Sequence, residues 1–152
     1  MKLAIFDFDG TLFPKDTLPF LLIQWRKLKY SKLRLAEVYS RTLGLYIIYK
    51  VGVCSTLSKE KFRIIAVKEF NRIFKGMNEE EINQFFLDSS KYINELLKDT
   101  VVSEIKKAKN NGFHTVILSG SFDILLKYIA ENLDIDTIIG TEMYFNNDSM
   151  LD

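Results

Sequence analysis

Two carboxylates near the start of the chain have the spacing of a reactive site. The apolar run Leu3–Phe6 ends at Asp7, and Asp9 follows two residues later, before Gly10 and Thr11. Side chains at i and i+2 leave a strand on the same side, so both carboxylates converge at its carboxyl end, where open α/β sheets bind ligands. Two such anions repel unless a cation or a proton lies between them. The pattern therefore predicts a divalent metal site with acid/base or nucleophilic chemistry.

Two other interpretations of this segment have to be weighed. Asp9-Gly10 between hydrophobic residues is also a hairpin signal, and an Asp-x-Asp-Gly run resembles the start of a calcium loop. A half-solvated hairpin strand alternates apolar and polar residues, whereas Leu3–Phe6 is continuously apolar, as in a parallel sheet covered on both faces. The remaining ligands of a calcium loop are missing after Gly10. The parallel strand is favoured, and the hairpin is the main alternative.

A second segment far along the chain has complementary chemistry. Asn111-Gly112 is typical of the end of a helix, and Phe113–Leu118 then predicts a second buried strand. The turn Ser119–Ser121 leads into another helix. A hydroxyl and backbone N–H groups at such a turn are suited to phosphate oxygens, helped by the helix dipole. A helix-capping role for Ser119 or Ser121 is the alternative.

Taken together, the two segments resemble the haloacid dehalogenase superfamily of phosphohydrolases. Asp7-Phe-Asp9-Gly10-Thr11 is similar to its first motif, and Leu118-Ser119-Gly120-Ser121 to its second. Similarity to the phosphoserine phosphatase-like branch extends over residues 15–17, 121–123, 130–136 and 139–142. The resemblance implies an α/β fold with a partial Rossmann-like parallel-sheet core, residues 1–16 and 100–152. An all-helical cap, residues 17–99, would be inserted between the two motifs.

The resemblance also implies roles for individual residues. Asp7 would attack phosphorus and form an aspartyl-phosphate, and Asp9 would act as the general acid and base. Mg²⁺ would be bound by the side chain of Asp7 and the backbone carbonyl of Asp9. The phosphate-binding residues would be Gly10, Thr11, Ser119 and Gly120. The implied activity is Mg²⁺-dependent hydrolysis of a phosphoric monoester, with a small phosphorylated metabolite as the partner.

The sequence departs from the family pattern after its second motif. A lysine and a later acidic pair are expected beyond residues 140–142, and residues 143–152 contain no lysine. Lys127 is interpreted as a solvated helix residue, and Asp134 and Asp136 as capping or turn residues. We therefore expect a truncated phosphatase. The alternatives are a protein of this fold that binds without turnover, or a phosphotransferase of the same superfamily.

Truncation has a consequence for the sheet. Core strands are predicted at residues 2–6, 113–118 and 136–139, and a hairpin at 144–148. The strand that carries Leu3–Phe6 would be an exposed apolar edge, which favours pairing with another chain. We expect self-association of the isolated chain.

Composition excludes several classes of protein. The net charge of +1 gives no global attraction to nucleic acid, and the lone Cys54 excludes an internal disulfide. No stretch approaches the roughly 18–20 apolar residues that span a bilayer, so the expected location is the cytoplasm.

Residues 26–34 hold five basic side chains without an acid. They are interpreted as a solvated face, with contact to an anionic membrane surface as the alternative. His114, the only histidine, is interpreted as a structural residue.

The segment between the two motifs is predicted to be helical. Helices are expected at about 17–28, from Ser31 to Gly52, at 58–75, and at 101–110. A further helix is expected to begin after Asn78, because Asn78 and Glu81 have the spacing of a capping box.

Overall fold

The computed structural model describes residues 2–51 and 59–146. The elements, in chain order, are β1 (Lys2–Asp7), α1 (Thr17–Lys27), α2 (Lys32–Val51), α3 (Lys59–Asn71), a 3₁₀ turn (Arg72–Phe74), α4 (Glu79–Asn94), α5 (Asp99–Asn110), β2 (Phe113–Phe122), α6 (Asp123–Leu133) and β3 (Thr137–Thr141).

The chain divides into two compact units. The first comprises Met1–Phe20 and Met77–Asp152, and the second comprises Leu21–Gly76. The first unit contains the sheet with α4, α5 and α6, and Phe86 of α4 packs on Phe122 with a ring centroid distance of 5.4 Å. The second unit is helical and is built around the buried Trp25, which contacts Tyr30 and Phe74. The assignment of residues 17–99 as a cap stays a prediction.

The sheet of the described residues is parallel and has the strand order β1-β2-β3. Lys2 pairs with Phe113 and Asp7 with Leu118, so β1 ends opposite Leu118, directly before Ser119 of β2. The parallel pairing of β1 confirms the predicted strand, and the hairpin interpretation of Asp9-Gly10 is wrong. The predicted α/β class is confirmed.

The second strand is longer than predicted. The turn expected at Ser119–Ser121 is a bulge, because the register with β3 is Leu118 with Ile139 and then Phe122 with Thr141. Three residues of β2 therefore lie opposite the single residue Gly140. The pairing of β2 with β3 resumes at Phe122 and Thr141 because Gly140 has no side chain. A Cβ there would lie 2.9 Å from the Ser121 carbonyl oxygen and 3.2 Å from the Cα of Asp123.

This close approach gives a stability prediction. Gly140→Ala is expected to destabilise the fold by about 1–3 kcal/mol, because two of the three nearest atoms belong to the backbone and cannot rotate away, and the third, Cδ1 of Leu126 at 2.8 Å, belongs to a buried side chain. The measurement is urea denaturation followed by circular dichroism. Gly120→Ala is the matched control, since a Cβ at Gly120 meets no atom within 4 Å. Equal stability of the two variants would contradict the proposed contact.

One face of the sheet is apolar and exposed. The connection from β1 to β2 and the connection from β2 to β3 move in the same direction across the sheet. Because connections between parallel strands are right-handed, α5 and α6 lie on the same face of the sheet. The opposite face presents four large apolar side chains with about half of their surface accessible: Leu3 (47%), Ile5 (57%), Leu118 (47%) and Ile139 (53%). In the described part of the chain β1 pairs only with β2, so its outer edge carries unpaired backbone groups.

We propose that the isolated chain self-associates through this edge and face. Light scattering at increasing concentration should give a mass above the 17.7 kDa of one chain. Ile5→Lys should restore the monomer, because charge on an edge strand opposes pairing. Ile64→Lys is the matched control, since Ile64 is as exposed (54%) but lies on α3. A wild-type monomer at every concentration would contradict the proposal.

Most predicted helices are present with shifted ends. The capping box of α4 is confirmed, with reciprocal 2.9 Å bonds between Asn78 and Glu81. The predicted helix 58–75 is wrong in its last turn, which tightens into the 3₁₀ turn before Gly76 at φ +74°. α5 begins at Asp99, two residues earlier than predicted. Gly52 and residues 147–148 of the predicted hairpin lie outside the described residues. No helix within 2–51 or 59–146 combines the length and apolarity needed to cross a membrane.

Candidate active site

The first carboxylate lies at the last position of β1. Asp7 is exposed, and its Oδ2 accepts a 2.8 Å hydrogen bond from the Thr11 hydroxyl. Within the described residues no hydrogen bond reaches its Oδ1. Asp7 pairs with Leu118 of β2, and Ser119 is the residue that directly follows Leu118. The structure thus brings the first motif and the start of the second motif to the same edge of the sheet.

The loop after β1 turns back on itself. Gly10 has φ +78°, a conformation that glycine adopts without a steric cost, and its N–H donates to the Phe13 carbonyl at 2.7 Å. The Phe13 N–H donates to the Phe8 carbonyl at 2.9 Å. Phe8, Leu12 and Phe13 are fully buried and fix the loop to the core, whereas Gly10 and Thr11 are exposed.

The second carboxylate is in a different environment from the first. Asp9 is partly buried, and its Oδ1 accepts the backbone N–H of Thr17 at 3.0 Å and also the Thr17 hydroxyl. Asp9 thereby satisfies an N–H at the start of α1, where the helix dipole favours a negative charge. Burial nevertheless raises the pKa of Asp9, an effect that the bonds from Thr17 oppose and that the charges of Asp16 and Asp7 reinforce.

These environments suit different chemical roles. The exposed Asp7 can approach a ligand with a free carboxylate oxygen. Asp9 has Oδ1 fixed by Thr17 and a raised pKa, so it retains a proton to higher pH than an ordinary aspartate. Neighbouring carboxylates in different environments, one exposed and one partly buried, are a usual arrangement for dividing nucleophile and acid roles.

The Thr17 bonds give a testable pKa prediction. They stabilise the ionised carboxylate, so removal of the hydroxyl should raise the pKa of Asp9 further. Thr17→Val keeps the shape of this buried side chain and removes one donor, whereas Thr17→Ser keeps the donor. A carboxyl ¹³C titration by NMR should therefore show a higher midpoint for Asp9 in Thr17→Val and a nearly unchanged one in Thr17→Ser. Identical midpoints would contradict the role given to the hydroxyl.

The second motif forms the bulge of β2. The Ser119 Oγ accepts a 3.1 Å bond from the Ser121 N–H, which leaves the Ser119 hydroxyl hydrogen available to a ligand. Gly120 is exposed, and its carbonyl accepts from the Thr141 hydroxyl at 3.0 Å. The capping interpretation of Ser119 and Ser121 is wrong, since the N-cap of α6 is Phe122 and no side chain caps it.

Residues that the sequence placed outside the site have structural contacts. Lys127 is exposed and lies 3.3 Å from Asp123 in α6. Asp134 ends α6 in the left-handed conformation, as a turn residue does. Asp136 accepts bonds of 2.7 Å from the backbone and hydroxyl of Thr115, which lower its pKa to about 2. His114 lies in β2, as predicted, with its Nε2 2.8 Å from the Thr137 hydroxyl, and its structural role stays a prediction.

The donor set at the sheet edge fits part of a magnesium shell. Mg²⁺ takes hard oxygen ligands and is commonly held by one or two carboxylates, with waters and substrate oxygens completing the octahedron. The exposed carboxylate of Asp7 and the main chain of Asp9 supply such oxygens. Over residues 2–51 and 59–146 no group of three or more acidic, histidine or cysteine side chains is arranged for a metal.

The site lies open at the carboxyl end of β1 and is not enclosed as a cavity. Two pockets of the described residues lie along α6, and neither is lined by Asp7, Asp9 or Ser119. These pockets do not locate the chemistry, because a phosphoryl group is small and needs converging donors more than enclosing walls.

The sequence assigned no role to two residues near the site. Thr17 belongs to the stretch 15–17 that resembles the phosphoserine phosphatase-like branch, and the structure shows that it also binds the carboxylate of Asp9. Lys98 donates from Nζ to the Gly10 carbonyl at 2.7 Å, across a separation of 88 residues. No local pattern around Lys98 predicts this contact, since it depends on where α5 begins relative to β1.

With this geometry established, comparison with known proteins assigns the class. A family model described as haloacid dehalogenase-like hydrolase matches residues 4–152. The chain therefore belongs to the haloacid dehalogenase-like hydrolases, which confirms the predicted family. A search of curated proteins finds no match.

Solved structures share the fold over nearly the whole chain. A Bordetella pertussis Tohama I protein of unknown function has a TM-score of 0.74 at 16% identity, over 99% of this chain and 66% of its own. A phosphoserine phosphohydrolase-like protein from Francisella tularensis subsp. tularensis SCHU S4 has a TM-score of 0.60 at 27% identity, over 100% of this chain and 63% of its own. A phospho-aspartyl intermediate analogue of phosphoserine phosphatase has a TM-score of 0.54 at 22% identity, over 98% of this chain and 60% of its own. The chain thus spans no more than about two thirds of these proteins.

Proposed function

We propose that the protein is a Mg²⁺-dependent phosphoric monoester hydrolase that acts through an aspartyl-phosphate on Asp7. The observation that carries the proposal is the meeting of an exposed Asp7, an Asp9 of raised pKa and the Ser119 bulge at one edge of the sheet. Membership of a hydrolase family supports it, as does similarity to a phosphoserine phosphohydrolase-like protein. The proposed substrate is a small phosphorylated metabolite.

The first half-reaction transfers the phosphoryl group to the enzyme. The free Oδ1 of Asp7 attacks phosphorus, and the bond from phosphorus to the leaving oxygen breaks. Asp9 gives its proton to that oxygen, so the product leaves as an alcohol. Thr11 holds the other oxygen of Asp7, which orients the attacking atom.

The second half-reaction restores the enzyme. Asp9, now ionised, takes a proton from water as the water oxygen attacks phosphorus, and the bond from phosphorus to Asp7 breaks. Inorganic phosphate leaves, and Asp9 is protonated again. Its raised pKa supports both duties, because the proton must be held before the first step and recovered in the second.

Binding of the phosphoryl oxygens falls to the two turns. Gly10 and Gly120 are exposed and small, so backbone groups there can approach an anion closely. The hydroxyl of Ser119 is the side-chain donor. Bound Mg²⁺ would neutralise charge between the Asp7 carboxylate and the substrate.

A protein of this fold that binds without turnover is the second candidate. It is favoured by the described residues, 2–51 and 59–146, in which no group of three or more acidic, histidine or cysteine side chains is arranged for a metal. We propose that hydrolysis requires a phosphate-holding lysine and an acidic pair, which the resemblance implies after the second motif.

The test is hydrolysis of p-nitrophenyl phosphate with Mg²⁺ by residues 1–152 and by the product of the complete reading frame. Both proteins are first checked for folding by circular dichroism. Hydrolysis by the complete product, with little or none by residues 1–152, is expected. Hydrolysis by neither folded protein would favour the binding protein. Release of p-nitrophenol in excess of phosphate, with an added alcohol present, would favour a phosphotransferase.

A further inference from the structure

Lys98 makes two hydrogen bonds to the loop that follows Asp7. It directly precedes α5, which begins at the sheet edge where β1 ends. Its backbone N–H donates to the Leu12 carbonyl at 3.0 Å, and its Nζ donates to the Gly10 carbonyl at 2.7 Å. One residue therefore holds two carbonyls of the turn between Asp9 and Phe13.

The contact with Gly10 is coupled to Asp7 through a single peptide plane. The carbonyl of Gly10 and the N–H of Thr11 belong to one planar unit, so fixing the oxygen also fixes the N–H. That N–H donates to the Phe8 carbonyl at 3.3 Å, and the Thr11 hydroxyl donates to Oδ2 of Asp7. The rotation of this peptide thus sets where Thr11 holds the Asp7 carboxylate.

Lys98 differs in its partners from Lys107 and Lys109 of α5. Lys107 is paired with Glu104 at 2.6 Å, and Lys109 with Asp134 at 2.7 Å. Among the described residues Lys98 has no carboxylate within ion-pair distance, and its ammonium is directed to a backbone carbonyl instead. A charged donor makes a stronger bond to a carbonyl than a neutral one does. The side chain is exposed, so the bond affects local geometry more than overall stability.

We propose that Lys98 is a positioning residue that holds the loop from Phe8 to Phe13 in the conformation that presents Asp7. Lys98 acts through the Gly10 carbonyl and Thr11, without touching the substrate. Its effect on turnover rests on the proposed function, whereas its effect on loop order does not. Loss of the side chain should loosen the loop and lower kcat more than it raises KM, because the phosphate-binding turn of β2 keeps its contacts and only the turn at Gly10 loses one.

The test compares Lys98→Met and Lys98→Arg with the wild-type protein. Lys106→Met is the matched control, since Lys106 is exposed on the same helix without a hydrogen bond to a described residue. Amide hydrogen exchange of Thr11 and Leu12 by NMR is measured with the Tm, kcat and KM of each variant for p-nitrophenyl phosphate. In Lys98→Met the amide hydrogens of Thr11 and Leu12 should exchange faster than in the wild-type protein. The kcat of this variant should fall about tenfold, since a small misplacement of a reacting group slows the reaction strongly. Lys98→Arg should recover most of both losses.

The two readouts separate the two proposals. Absence of hydrolysis by the wild-type complete protein would contradict the proposed function, while the exchange rates would still decide the role of Lys98. Exchange in Lys98→Met equal to that in Lys106→Met would overturn the positioning role, whatever the activity. A lower kcat with unchanged exchange would overturn it as well, because Lys98 would then act by another route.

Discussion

Asp7→Asn is expected to reduce hydrolysis of p-nitrophenyl phosphate by about 10⁴-fold or more, as loss of a nucleophile does in covalent catalysis. The amide has nearly the shape of the carboxylate but lacks a nucleophilic anion. It also removes the charge that would bind Mg²⁺. Because Asp7 is exposed, the substitution should leave the fold intact. The measurement is steady-state release of p-nitrophenol by the complete protein at saturating Mg²⁺.

The control for Asp7→Asn is Glu104→Gln, which neutralises an exposed carboxylate on α5 that is paired with Lys107. This variant should retain wild-type turnover. Equal melting temperatures of the two variants would show that a loss in Asp7→Asn is chemical. Undiminished turnover in Asp7→Asn would refute the role of Asp7 as the nucleophile.

Asp9→Asn has the second largest expected effect, a loss of about 10²–10⁴-fold in steady-state turnover, the usual range for a general acid or base. The two half-reactions should not suffer equally. p-Nitrophenolate is a good leaving group that needs little help from a proton, whereas attack by water needs a base. Asp9→Asn should therefore release p-nitrophenol in a rapid burst and then stall as the phosphorylated enzyme. Stopped-flow absorbance measures the burst.

An alkyl phosphate provides the internal control for this prediction. Its leaving alkoxide needs a proton, so the burst of released alcohol in Asp9→Asn, measured by rapid quench for this colourless product, should disappear with that substrate and persist with p-nitrophenyl phosphate. Equal losses in the burst and in steady-state turnover for both substrates would contradict the dual role of Asp9. In that case its bonds to Thr17 would indicate a structural role at the start of α1.

The elements that carry the motifs were predictable because local patterns determine them. Leu3–Phe6 is continuously apolar and is followed by a carboxylate, and it forms the parallel strand β1. Asn78 and Glu81 have capping-box spacing, and the reciprocal bonds are present. The approach of Asp7 to the second motif follows from the general rule that open α/β sheets place their ligand-binding residues at the carboxyl ends of the strands, and Asp7 pairs with Leu118, directly before Ser119.

Features that depend on contacts between distant segments were not predictable. The extension of β2 to Phe122 requires Gly140 on another strand, and nothing around Ser119–Ser121 reveals that pairing. The contact between Lys98 and Gly10 likewise depends on where α5 begins. The raised pKa of Asp9 results from burial, which composition alone does not show.

The central claim is that Asp7 carries the phosphoryl group during turnover. The most direct measurement is mass spectrometry of the complete protein, quenched in acid after reaction with p-nitrophenyl phosphate and Mg²⁺, in the Asp9→Asn background that should accumulate the intermediate. The account predicts one added phosphoryl group on the peptide that contains Asp7, and none when Asp7→Asn is added. Steady turnover with no such adduct, or with the adduct on another residue, would contradict it.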